Sequence, residues 1–328
     1  MAKSSWLKPF PWRHAVQAAF LGLCAWIGVE FHLFMTWCAD PANAAYVPHP
    51  PGAEAFLPIS ALLSLKYWIL TGRICELHPA GFFVFVAVLL VALLLRKAFC
   101  AWICPVGTLG ELLERLGARI LPRRFAPPRW VDLPLRGLKY LLLAFFAWTT
   151  LRMDLPALGA FLYSPFNAAA DLRMYGFFAH ISPTTFTVIA LLALLGLAVE
   201  NAWCRYLCPY GALLGLLAFA SPLKIRREAA TCTGCRKCTR ACPARIQVHA
   251  VRTVRTDDCS ACYRCVAACP EKATLRMNAP GGRAVPTWLF AVLVLALFGG
   301  VTGFAMATGQ WRTVITPQDY RQLYLEDR

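Results

Sequence analysis

The sequence predicts a multi-span α-helical membrane protein of about five transmembrane helices, interrupted late in the chain by a small inserted α+β domain. Three observations predict it. The 328 residues are 59% hydrophobic and only 15% charged, far to the apolar side of a soluble globular chain. The apolar residues gather into five segments of roughly membrane-spanning length. Eight of the fifteen cysteines crowd into Thr231–Pro270, a polar stretch between the fourth and fifth segments.

The first segment, Ala15–Thr36, lacks a small-residue cleavage pattern before Cys38 and is expected to remain as a span. Asp40–Pro58, rich in Pro and Ala, reads as an outer loop, and Leu57–Leu70 as a helix lying in the interface. Ala80–Leu95, Leu135–Thr150, Thr184–Val199 and Pro286–Ala307 are the remaining spans, the shorter ones extended or little tilted. Between the second and third, Thr108–Ile120 sets Leu109, Leu112, Leu113 and Leu116 on one helical face, with Glu111, Glu114, Arg115 and Arg119 elsewhere. That pattern belongs to a helix on the membrane surface.

A formal net charge of +16 raises nucleic acid as a partner, but membrane chains gather Lys and Arg in their inner loops. With the N-terminus inside, Lys3, Lys8, Arg13, Arg96–Arg136 and Arg205–Arg283 hold 25 of the 33 Lys and Arg; 7 lie outside and Lys139 opens the third span. The charge is therefore assigned to the lipid bilayer and not to nucleic acid. The expected location is the bacterial cytoplasmic (inner) membrane, multi-pass, with the C-terminus periplasmic.

An internal repeat runs through the membrane part. A shift of 104 residues pairs Cys100 with Cys204, Trp102 with Tyr206, Cys104–Pro105 with Cys208–Pro209 and Gly107 with Gly211, without a gap. Both copies end a span crossing in the same direction, so the repeat is parallel.

In the cysteine-rich stretch, Cys232, Cys235, Cys238 and Cys242 are separated by two, two and three residues, with Pro243 following. Cys259, Cys262, Cys265 and Cys269 repeat the spacing before Pro270. Three close thiolates wrap one iron–sulfur cube, and the fourth of each run reaches across to the other, as in two-cluster bacterial ferredoxins. One 4Fe–4S cluster is thus assigned to Cys232, Cys235, Cys238 and Cys269, the second to Cys259, Cys262, Cys265 and Cys242. Structural zinc would use two ligands per knuckle and leave half of each run idle. A disulfide framework does not suit a reducing inner compartment. The motif resembles the bacterial two-cluster ferredoxins, which implies a pseudo-symmetric α+β fold and one-electron transfer.

Cys100 with Cys104 and Cys204 with Cys208 form two Cys-x-x-x-Cys-Pro corners. The proline can start the next helix, which would set the second cysteine at a helix N-terminus where thiolate is favoured. The duplication would bring all four together as a third metal site at the membrane edge. Its occupant is open between iron–sulfur, copper and nothing permanent, and small residues packing a tight corner are the structural alternative.

The phrases RKAFCAWICPVGTLGELLERL and ENAWCRYLCPYGALLGLL, ahead of the ferredoxin repeat and behind Arg13-x-x-x-Gln17, resemble NapH-type and NosR-type membrane ferredoxins. The resemblance implies four core spans, inner-side clusters and electron passage between quinol and another redox protein of the membrane or periplasm. A fifth apolar segment after the cysteine-rich domain departs from both and is similar to the more distant CcoG/FixG-type proteins. Those proteins are linked to copper reduction.

His32, His78 and His180, with Glu30, fall near the outer span ends and are the candidate quinol site, because quinol oxidation needs proton acceptors. Backbone or headgroup hydrogen bonding is the alternative for each. Cys38 and Cys75 lie outside and could bridge; Cys24 reads as packing. The expected organisation is a membrane domain over 1–220, a ferredoxin-like domain over 221–285, a fifth helix over 286–308 and a tail over 309–328. The expected function is electron transfer between the quinol pool and a respiratory or maturation partner, with quinol dehydrogenase activity depending on that site. The other reading is copper handling for assembly of a metalloenzyme.

Overall fold

The structure, a computed structural model, describes residues 11–122, 125, 127–271 and 273–326. Helices dominate it. In chain order they are α1 (Pro11–Ala39), α2 (Pro58–Thr71), α3 (Pro79–Leu95), α4 (Ala98–Trp102), α5 (Pro105–Ile120), α6 (Arg129–Arg152), α7 (Leu155–Leu162) and α8 (Pro165–Ala168). They continue with α9 (Ala170–Ala179), α10 (Pro183–Ala198), α11 (Pro209–Leu217), α12 (Lys237–Arg240), α13 (Arg264–Ala267), α14 (Thr287–Ala307) and α15 (Pro317–Glu326). Strands β1 (Lys224–Arg227) and β2 (Leu275–Asn278) form one antiparallel pair. Proline stands at the first or second position of α2, α5, α7, α8 and α11, where its missing N–H costs nothing.

Helices α1 and α14, of 29 and 21 residues, are long and apolar enough to cross a membrane. The chain bends by 106° between α6 and α7 and by 81° between α9 and α10, and counting each bent pair as one span gives four. Helix α3 is apolar throughout but has 17 residues, roughly 26 Å, less than the hydrocarbon core of about 30 Å. The five expected segments all fall in helices, and the described residues hold two to four candidate spans.

The chain divides into two compact units, one of Met1–Leu21, Leu89–Ala144 and Ala190–Leu297, the other of Gly22–Val88, Phe145–Ile189 and Phe298–Arg328. In the first, the β-pair buries Ile225, Leu275 and Met277 and turns Arg226 and Arg276 outward. Trp102 is wholly buried; its ring lies 5.2 Å from Phe290, edge-on to Tyr263, and its indole Nε1 donates to Ala261 O at 3.1 Å. Helix α5 exposes Leu109, Leu112 and Leu116 and buries Glu111. A water-soluble protein inverts that arrangement, and lipid contact explains it. In the second unit, Phe31, Phe34 and Met35 of α1 pack with Leu172 and Tyr320, while Leu63 and Cys75 pack with Leu158 and Leu162. Cys38 belongs to the former cluster, and both Cys38 and Cys75 are free. The bridge between them is therefore not formed.

Candidate functional site

The two cysteine runs fold alike. Gly234 and Arg236 of the first loop have φ of +68° and +56°; the matching Ala261 and Tyr263 of the second have +51° and +57°. Each loop then enters a one-turn helix, α12 or α13. Left-handed residues in such turns aim successive backbone N–H groups inward, which suits an anionic occupant. Cys232, Cys235, Cys238 and Cys269 line one cavity of about 350 Å³, and Cys242, Cys259, Cys262 and Cys265 line another of about 370 Å³. Each cavity therefore joins three cysteines of one run with the fourth of the other. Among the described residues no three His, Cys, Asp or Glu side chains close on one point as a single ion requires. Four soft thiols around a wider space fit an iron–sulfur cube.

The surroundings of the two cavities differ. The second is walled by Ile225, Ile246, Val248, Val254 and Tyr263. Burial pushes its Cys242 thiol up to about 12 and also raises Cys259. Thiols in such a wall need a bound cation to become ligands. The first cavity includes the exposed Cys235 and is lined by Arg227, Thr233, Arg236, Glu271 and Thr274: the Gly234 N–H holds Cys232 below the usual thiol range, and the Lys237 N–H does the same for Cys235.

The corner motifs sit beside the second cavity. Cys104 and Cys208 are the N-cap residues of α5 and α11, and the Gly211 N–H donates to Cys208 Sγ at 3.2 Å. Both corners share a wide turn, Cys104 N–H donating to Phe99 O at 2.9 Å and Cys208 N–H to Trp203 O at 3.0 Å. Gly107 is required, because a Cβ there would stand 2.1 Å from Cys100 O. Cys100 and Cys204 line a cavity of about 610 Å³ with Lys97, Asp258 and Cys262. Burial, and after it the nearness of Cys100, Cys208 and Cys104, raises the Cys204 thiol. Lys97, only 4% exposed, opposes this as the nearest buried cation.

A framework of buried ion pairs, largely unseen in the sequence, holds these parts together. Lys139 Nζ lies 2.6 Å from Asp258 and 3.2 Å from Asp257, just ahead of Cys259, and Tyr140 also bonds Asp257. Asp132 accepts from Arg136 at 2.8 Å, Arg205 at 2.7 Å and Tyr206 at 2.6 Å. Glu111 accepts from Arg13 at 2.7 Å and Gln17 at 3.2 Å and pairs with Arg264 at 3.1 Å. Burial alone would raise the Glu111 carboxyl, but His14, Arg264 and Arg13 hold it well below the usual carboxylate range. Arg96, left-handed at φ +60°, donates to Val254 O at 2.9 Å and Thr256 O at 2.7 Å, bonds that offset its backbone strain. The sequence motifs contain Arg13, Gln17, Arg96, Glu111, Arg205 and Tyr206, but not the pairing among them.

The candidate quinol residues do not gather at one point. His78 is buried, its Nε2 2.7 Å from Asn167 O and its Nδ1 4.0 Å from Glu54 Oε1, neither of the latter two atoms having a hydrogen-bond partner among the described residues. His32 bonds Tyr175 at 2.6 Å, His180 is exposed at the end of α9, and Glu30 is half-buried on α1. Glu54, His49 and Asp171 were missed. Glu54 and Asp171 are fully buried, and His49 Nε2 lies 2.7 Å from Asp171 Oδ2. Burial pushes the Glu54 carboxyl up; burial alone would lower His78, but Glu54 and Asp171 raise it overall. Isolated polar residues such as these carry no periodic signal, so only folding reveals the set.

Apolar helices fit to cross a bilayer, joined to paired cysteine loops around cluster-sized cavities, define a membrane iron–sulfur protein. Comparison with known proteins carries this further. A family described as a 4Fe–4S binding domain matches twice, at residues 77–124 and 181–228, and a 4Fe–4S dicluster domain matches residues 224–272. YccM of Escherichia coli K12, assigned to electron transport by its name, is 40% identical over 98% of this chain and 91% of its own. The ferredoxin-type protein NapH of Haemophilus influenzae is 29% identical over 48% of this chain and 51% of its own. The regulatory protein NosR of Pseudomonas aeruginosa is 33% identical over 45% of this chain and 20% of its own. No solved structure matches. The chain belongs to the NapH/NosR-type 4Fe–4S ferredoxin family: it is a membrane protein of electron transport that carries iron–sulfur clusters.

Proposed function

We propose that the chain passes electrons between the quinol pool and a redox partner through two 4Fe–4S clusters and a third iron–sulfur centre at the corners. Cys232, Cys235, Cys238 and Cys269 hold one cluster; Cys259, Cys262, Cys265 and Cys242 hold the other. The observation that carries this reading is the reciprocal lining of the two cavities. Cys100, Cys104, Cys204 and Cys208 hold the third centre, with Lys97 offsetting its thiolate charge. The two family matches, described as 4Fe–4S binding and with starts 104 residues apart (181 minus 77), support iron there over copper. Bound clusters supply one-electron chemistry.

The chain's own residues do the rest. Trp102 and the Asp257–Asp258 ion pairs fix the second cysteine loop against α4 and α6. Quinol loses two protons and two electrons, and we place the proton acceptors at His78 Nδ1 and Glu54 Oε1, buried atoms 4.0 Å apart with no hydrogen-bond partner among the described residues. His32, His180 and Glu30 take no part at that point. Membrane domain, ferredoxin-like domain, fifth helix and tail follow the boundaries expected above, with five spans and the N-terminus inside, as the charge asymmetry supports.

Iron analysis and electron paramagnetic resonance of the purified protein test the reading. Two clusters give about eight irons per chain and a third about twelve. Serine at Cys100, Cys104, Cys204 and Cys208 should remove about four irons and one signal. Unchanged iron with lost copper would replace the electron-transfer reading with copper handling.

A further inference from the structure

The first cysteine cavity opens onto a cationic face. Cys235 is exposed, and Arg240 reaches back to donate to Cys235 O at 3.2 Å. Arg236 lines the cavity and Lys237 follows it, both exposed. Arg227, also lining it, donates its N–H to Arg252 O at 2.8 Å, which brings exposed Arg252 to the rim. Among the described residues none of Arg227, Arg236, Lys237, Arg240 and Arg252 has a carboxylate in ion-pair range; Glu228 and Glu271 are acidic residues close by.

We propose that this face docks a soluble, acidic, one-electron carrier protein, which exchanges one electron with the centre held by the exposed loop. One electron passes per encounter: this chain's centre is oxidised as the carrier's is reduced, or the reverse. The inference rests on the cluster assignment under Proposed function. Cations ringing an opening attract and orient an acidic partner. An anionic lipid surface shares that charge logic, but Thr231, Thr233 and Gly234 are small or polar and Val251 is the exposed bulky apolar residue beside Arg252, little for a bilayer to hold.

The test uses the full chain in nanodiscs of zwitterionic lipid, with a flavodoxin as the acidic probe. Binding should weaken at least about tenfold between roughly 50 and 300 mM salt. Arg252→Glu, at an exposed side chain, should leave the melting temperature unchanged while flavodoxin affinity falls about tenfold. Lys237→Glu should cause a similar loss, and the dithionite-reduced protein should reduce flavodoxin more slowly in both variants. Unchanged affinity and rate in both would overturn the proposal. So would a loss confined to vesicles containing phosphatidylglycerol, which would make this a lipid-facing surface. Wild-type protein without a cluster signal would defeat the cluster assignment instead, while the binding measurement would still judge the face.

Discussion

The two cysteine cavities share a loop geometry, displaced by 27 residues from Gly234 to Ala261 and from Arg236 to Tyr263, yet they meet opposite environments. One is walled by aliphatic side chains beside the corner cysteines and pinned by Trp102 and the Lys139 ion pairs. The other includes the exposed Cys235 and has Arg227, Arg236 and Arg240 beside it. A duplicated sequence has thus become an asymmetric pair, and the asymmetry sets an order: corner, sheltered site, exposed site. Local backbone chemistry makes a cysteine loop; its neighbours decide whether it faces a fixed partner or a diffusing one.

The largest effect should separate the two sites. Cys265→Ser should remove about four irons and also lower the melting temperature of the protein, because its cavity is part of a packed core. Cys235→Ser should remove as much iron with little change in melting. Equal melting would break the distinction. Trp102→Ala comes next, at about 3–5 kcal/mol, since it empties a wholly buried site. The sheltered signal should broaden or vanish first on warming, and simultaneous loss of both signals would count against a local role.

Accessibility sharpens the contrast further. An iron chelator should strip the site of the exposed Cys235 about tenfold faster than the sheltered one, read from the two paramagnetic signals. The smallest effect concerns pH. Burial would raise Asp257, but Tyr140 and Lys139 lower it to about 2, so its contribution is complete above the unfolded carboxylate value and is lost as pH falls toward 2. With partial exposure discounted, about 1–2 kcal/mol is at stake. Asp257→Asn should flatten that part of the acid-unfolding curve, and an unchanged curve would remove the aspartate from the framework.

Much of this was legible in the residues. Cysteine spacing is short-range chemistry, and the sets it implied are the ones lining each cavity. Apolar runs marked the helices to within a few residues. The bends after Arg152 and before Pro183 were not legible, because a kink depends on how two faces pack rather than on composition. Nor were Glu54 and Asp171, which acquire meaning only when chain segments far apart in sequence meet.

By itself the sequence determined the membrane character, the helices, the two cysteine loops and the family, since each depends on neighbours a few residues apart. Only the tertiary structure decided which loop is sheltered, that His78 meets Glu54 while His32 meets Tyr175, and that Arg226 faces Arg276. Burial and charge pairing are properties of contacts between distant segments, and those exist only once the chain has folded.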